Sequence, residues 1–273
     1  HSEIYNEESS DRAFEEEVML SGFANAQVKG EGSGVSFDEA QETFTARYTH
    51  ETVALAFAIT EEAIEDNLYD RLASRYTKAL ARSMSNAKQV KSVEPLIQGL
   101  PTTNNFDSGD GVSLFNTAHP TVAGTFANTL ATQSDLNETS LEQSMIDIAQ
   151  MTDERGLRIA ARGVKMIIPS ELQFTAERLM KSQGRTGTAD NDINAIVSMG
   201  MVPQGYRVNN YLTDSDAFYI LTDIPNGMKM FNRAPLTTAM EGDFDTGNVR
   251  YKARERYSFG VSDPRGIFGV EGA

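Results

Sequence analysis

Residues 43–62 read TFTARYTHETVALAFAITEE, and the change of period inside this stretch organises the whole chain. Val53, Leu55, Phe57 and Ile59 alternate with Ala54, Ala56 and Ala58. Period two puts the bulky set on one face of a strand and the small set on the other. Upstream, Thr43, Thr45, Arg47, Thr49, Glu51 and Thr52 make the stretch too polar for a subunit's own core. With Val35–Phe37, across a polar tip at Asp38–Gln41, it predicts a long hairpin that is apolar only at its root and projects from the body. Open strand edges invite pairing, so such a projection must lie on something. Thr60 then caps a helix that opens on Glu61 and Glu62, acids favoured at the positive helix end. Ile64, Leu68, Leu72, Tyr76, Leu80 and Met84 recur every fourth residue, and no Gly or Pro falls within 60–94. The spacing predicts an unbroken rod over 60–94, about 45 Å long at 1.5 Å per residue.

Outward from this unit, residues 1–30 read as an arm rather than a core segment, with one short helix expected over Ala13–Leu20. Three glycines in GEGSG (30–34) free the backbone for a hinge. Residues 99–135, rich in Gly, Asn, Thr and Ser, form a long loop of the kind that usually carries function or contacts. A capping box at Ser140–Gln143 opens a helix ending near Gly156, and Val164, Met166 and Ile168 alternate as a strand. A second box, Ser170–Gln173 after Pro169, opens a helix through Met180 to Gly184. Asp190–Met199 is read as one short helix. Strands follow at Tyr206–Leu212, Ala217–Thr222 and Met228–Arg233, the last two joined as a hairpin by Pro225-Asn226-Gly227. Val249–Val261 is a final long strand. The fold class is α+β.

The 273 residues can bury a full core. They hold 39 acids against 24 bases, a net charge of −15, with no Cys. Without Cys there is no disulfide scaffold, thiolate metal site or Cys nucleophile. No apolar run approaches the length of a membrane span, and the acidic start does not read as a secretory signal. Residues 1–66 hold 16 acids and 3 bases, whereas Arg71 to Lys91 holds six bases and no acid. An acidic head thus precedes a basic rod. The overall charge argues against tight nucleic-acid binding. A second basic stripe, Arg250, Lys252, Arg254 and Arg256, lies at period two on the closing strand. It reads as a solvated face, as a contact for the acidic head of another subunit, or, third, as a nucleic-acid track.

Catalytic motifs fail on spacing or context. There is no G-x-S-x-G and no P-loop, and Gly30-x-Gly-x-Gly34 lacks the flanking strand and helix. Asp243-x-Asp245-x-Gly247 misplaces its glycine and has Arg254 where a calcium loop requires Glu. His119, in Ala-His-Pro of the long loop, is the one candidate for a hydrolase site. No metal, cofactor or catalytic residue is expected.

Several stretches resemble one family in order along the chain: SSDRAFEEEVMLSG, SLFNTAHPTVAGTFANTLA, DERGLRIAARGVKMIIPSELQFTAERLMKS, GTADNDINAI and MEGDFDTGNVRYKARERYSFGVSDPRGIFG. They are similar to the major capsid proteins of tailed double-stranded DNA bacteriophages, whose fold is named after the Hong Kong phage head and shared by encapsulin shells. The resemblance implies an N-terminal arm (1–30), an extended loop across the adjacent subunit (31–59), a peripheral domain with the spine helix (60–100 and 236–273) and an axial domain (101–235). It implies pentamers and hexamers closing an icosahedral shell around DNA, without sequence-specific binding, in the virion, after assembly in the host cytoplasm. The implied partners are further copies of the chain, a portal, a scaffold or head-maturation protease, and decoration proteins. An encapsulin-like nanocompartment is the alternative within the fold. Candidate subunit contacts are Phe14, Phe37, Phe44, Arg47, Tyr48, Arg71, Arg75, Arg250 and Arg254. Some relatives weld neighbours through a Lys of the extended loop. Residues 35–59 contain none, so covalent crosslinking is not expected here.

Overall fold

The computed structural model describes residues 1–66, 69–103, 105–184, 193–243 and 246–273, and the side chains of 69–73 lie outside it. Strands β1 (Asn6–Ser9), β2 (Phe14–Leu20), β3 (Glu42–Thr49) and β4 (Glu51–Ile59) lead to helices α1 (Glu61–Glu65) and α2 (Tyr69–Gln98). Next come β5 (His119–Thr121), β6 (Gly124–Phe126), α3 (Glu138–Gln150), β7 (Gly163–Ile168), α4 (Gln173–Lys181) and α5 (Ala195–Ser198). The order closes with β8 (Tyr206–Val208), β9 (Phe218–Thr222), β10 (Met228–Gly242), β11 (Val249–Val261) and β12 (Ile267–Val270). The chain divides into two units.

The first unit comprises residues 1–15, 48–93 and 230–259. Its four-stranded sheet runs β1-β10-β11-β4. β11 and β4 pair antiparallel from Val249 opposite Ile59 to Tyr257 opposite Glu51. Of the bulky face expected from the alternation, Val53 and Phe57 pack under α2, whereas Leu55 stays 45% exposed. Leu80 and Met84 pack with Ala253, Val53 and Phe57, and the Phe57 ring stacks on Tyr251 at 4.9 Å. Lys88 lies 3.6 Å from the buried Glu255 and 5.1 Å above the Tyr257 ring, so the helix is fastened through charge as well as apolar contact.

The second unit comprises residues 16–47, 94–229 and 260–273. Its sheet runs β12-β9-β7-β8, with β7 parallel to β8 and antiparallel to β9. Leu141, Met145 and Ile148 recur at helical spacing along α3 and meet Met166, Phe218 and Phe268 in the core. A two-stranded ribbon pairs β2 with β3.

Several expectations need correction. Ala13–Leu20 is strand, not helix: Glu15 and Glu17 face inward, Glu15 accepting from Ser10 and Glu17 from Lys229. Inward acids with partners reverse the usual pattern, and three consecutive glutamates conceal it. The hairpin arms are therefore 14–20 and 42–49; Val35–Phe37 is in no strand, and the chain breaks at His50 between β3 and β4. The stretch judged too polar for a core buries Ala46, Tyr48 and His50. The N-terminal segment is also not a free arm, since Ile4 and Tyr5 are buried and the Tyr5 hydroxyl donates to the Ser92 carbonyl.

The rod is two helices. Thr60 caps α1 as expected, but α1 closes at Asp66, and α2 continues past Pro95 to Gln98; Leu68 lies outside the described residues. The α3 box is Asn137 with Ser140, three residues earlier than expected, and the helix ends at Gln150. α4 starts from Leu172 without a side-chain cap, and Ser170 instead bonds to Glu171. Of the stretch Asp190–Met199 only Ala195–Ser198 is helical among the described residues. β9 and β10 join different sheets, so Pro225-Asn226-Gly227 closes no hairpin. β10 runs nine residues beyond Arg233 to pair with β11, which spans Val249–Val261 as expected.

Candidate assembly surfaces

The long loop holds the only motif that suggested catalysis, and its geometry is structural. Nδ1 of His119 lies 2.6 Å from Oδ2 of Asp110, and Nε2 lies 2.9 Å from Oδ1 of Asn128. Asn128 donates onward to the carbonyls of Leu114 and Pro264. Burial pushes the Asp110 carboxyl up, but hydrogen bonds from His119, Ser108 and the Val112 amide outweigh it and hold it below the usual range. The His119 ring is fully buried and stacks on Phe126. No substrate reaches it, and the hydrolase alternative falls. Among the described residues no group of three His, Asp or Glu is placed to hold a metal ion. Asp243 is occupied by Arg250 and Thr246; Asp245 lies outside the described residues.

A second buried knot joins Arg265 to Glu154 at 2.6 Å and to Asp263 at 3.2 Å, with the guanidinium 4.2 Å over the Phe126 ring. Fixing irregular backbone through buried, charge-assisted bonds is what a chain with few regular elements in this region requires. His50 plays the same part in the first unit: Nε2 meets Ser10 at 2.9 Å and Nδ1 meets Ser258 at 3.0 Å. Neither His50 nor Arg265 carried a sequence signal for these roles, because the partners are distant in the chain.

The surfaces available to other molecules are thus the exposed arms and basic faces. Phe37 is 96% exposed and Phe14 38%, and Val18 and Leu20 share the outer face of β2 with Phe14. Residues 21–41 form no regular element; the loop closes where Ser21 and Gln41 exchange hydrogen bonds, and Arg155 donates to the Glu39 carbonyl. Phe44 is half-buried, and Arg47 is exposed with Glu16 at 3.7 Å. Tyr48, expected on a projecting surface, is instead 2% exposed with its ring 4.8 Å from Phe231; it is core. Arg71 lies among the side chains outside the described set. Arg75, Lys78 and Arg82 are exposed, and their spacing of three and four places them on one face of α2. Arg250 and Arg254 are exposed on β11, Arg250 with Asp243 beside it.

Charge separates along the same division. The second unit holds 24 acids and 12 bases, a net of −12, and the first 15 and 12, a net of −3. The first unit therefore sets two basic faces within a nearly balanced total.

Residues 42–270 match the family described as Phage capsid protein. No curated protein matches the chain. Among solved structures, the capsid of an empty GTA particle has a TM-score of 0.60 at 13% identity, covering 100% of this chain and 89% of that one. The capsid of Myoviridae phage XM1 has a TM-score of 0.59 at 12% identity, covering 99% and 89%. A virus-like particle from Pyrococcus furiosus has a TM-score of 0.54 at 12% identity, covering 98% and 89%. At such identities the structures bear on the fold, which is that of tailed-phage major capsid proteins, while the family match bears on the role. The chain belongs to the phage capsid protein family and is a structural, non-enzymatic major capsid protein of the virion.

Proposed function

We propose that this chain closes an icosahedral phage head as pentamers and hexamers around double-stranded DNA, assembling in the host cytoplasm. The observation that carries the reading is the loop 21–41, whose Phe37 stands almost wholly in water. Phe23, Val28 and Val35 of the same loop and Val18 and Leu20 of β2 are exposed as well, and an apolar stretch of this extent marks an interaction surface, which a neighbouring subunit would cover. Residues 31–59 then supply the extended loop, 60–100 with 236–273 the peripheral domain, and 101–235 the axial domain. Of the proposed arm 1–30, residues 1–10 serve the chain's own sheet, so the reach towards a neighbour belongs to the loop. Phe14, Phe37, Phe44, Arg47, Arg71, Arg75, Arg250 and Arg254 are the proposed contact residues. A portal, a scaffold or head-maturation protease, and decoration proteins complete the proposed partners.

An encapsulin-like compartment has less behind it, because the family matched is that of phage capsids. Sedimentation of the purified chain, alone and with its scaffold, tests the reading. Rings and shells are expected; monomers under every condition would overturn it.

A further inference from the structure

Within the second unit, three chain segments bring four carboxylates to one cavity of about 360 Å³. Asp153 and Glu154 follow α3, Asp223 follows β9 and Asp263 follows β11. Among the described residues Arg265 is the one cation in the wall. Its guanidinium is already committed, to Oε1 of Glu154 at 2.6 Å, to Oδ1 of Asp263 at 3.2 Å and to the Thr152 carbonyl at 2.8 Å. One positive charge thus faces four negative ones, and Glu154, Asp263 and Arg265 are all buried. Buried charge is tolerated where it is paired, and here the anions outnumber their partner.

One atom shows the consequence. Oε2 of Glu154 is buried without a hydrogen-bond partner, a costly state for a carboxylate oxygen and one that calls for a donor. Oδ1 of Asp223 accepts from the Arg162 amide and Oδ1 of Asp263 from the Arg265 amide. The second oxygen of each makes no hydrogen bond among the described residues. Apolar side chains, Met19, Ile159, Ala161, Ile224 and Pro225, complete the wall.

We propose that this cavity is a binding site for a primary alkylammonium ion, whose N–H groups bond to Glu154, Asp223 and Asp263 while its methylene stem lies along Ile159, Ile224 and Pro225. The head group fits because an ammonium carries three donors and no acceptor, which suits acceptors supplied by separate segments. The stem fits because methylenes lie on apolar surface while the charge reaches a polar end. A quaternary ammonium has no N–H and would leave Oε2 of Glu154 unpaired. A divalent metal ion suits the wall less well, since among the described residues no group of three His, Asp or Glu is placed to hold one.

The site needs only one copy of the chain, so its test is independent of assembly. The purified chain is titrated calorimetrically with n-butylammonium chloride, with sodium chloride at equal ionic strength as the control. Saturable binding of one ion per chain is expected. Glu154→Gln keeps the shape and removes the charge, and should weaken binding about tenfold, as loss of a charge-assisted bond does. Asp223 is exposed and makes no bond to Arg265, so Asp223→Asn serves where Glu154→Gln fails to fold, with a loss of about threefold expected. Diaminobutane and Nα-acetyl-lysine methylamide then distinguish a free amine from the lysine side chain of another polypeptide. Binding of either supports the site, and the tighter of the two names the source. Heat no greater than the sodium control, equal binding of tetramethylammonium, or binding unchanged in both variants overturns the inference.

Discussion

His119 and Asp110 meet at 2.6 Å with side chains at most 2% exposed, and Asn128 takes the other ring nitrogen at 2.9 Å. Three side chains that would suggest catalysis in a cleft here brace a loop from within. His119→Ala should therefore lower stability by about 1–3 kcal/mol, the usual cost of leaving buried hydrogen-bonding groups without a partner, as read by chemical denaturation. Ester turnover by the wild type would contradict this structural role.

Gly227 and Gly266 cross closely enough that a Cβ on Gly266 would stand 2.3 Å from the Gly227 Cα. The obstacle is backbone, which cannot rotate away. Gly266→Ala should cost about 1–3 kcal/mol, as overpacking does, and a thermal midpoint equal to wild type would contradict the crossing.

Desolvation first, and then Arg256 and Arg233, hold the His50 imidazole below its ordinary value, against an opposing pull from Glu15. The unfolded chain takes up this proton near the ordinary pH of about 6.5, before the folded chain does. Stability should then fall as pH drops below that point, until the lower folded value is passed. Thermal midpoints between pH about 7.5 and 5.5 should decline in the wild type and less steeply in His50→Gln. Equal slopes would rule His50 out as the cause.

These cases show where the sequence was legible. Arg250, Lys252, Arg254 and Arg256 recur at period two along β11, and Thr60 followed by two glutamates marks a helix start, so both were readable. β2 was not, because its inward residues are acids whose partners, Ser10 and Lys229, no local pattern reveals. The Pro225-Asn226-Gly227 turn misled because local turn chemistry cannot say which sheet the next strand joins. Among the proposed contact residues, Phe37, Arg250 and Arg254 are exposed, as expected of a loop tip and of a strand face rich in cations. Tyr48 was not separable from them, since its burial depends on Phe231, far along the chain.

Replacing residues 25–37 by a short Gly-Ser link should leave folding intact. The segment is exposed throughout, and the Ser21–Gln41 closure lies outside it. Cooperative unfolding within about 1 kcal/mol of wild type is expected together with loss of assembly. Loss of cooperativity would show that the loop belongs to the core.

The decisive measurement for shell formation is electron microscopy of the purified chain over a range of concentrations. Closed particles are expected, with walls that resolve into rings of five and six copies. Monomers or amorphous aggregates at every concentration would contradict it.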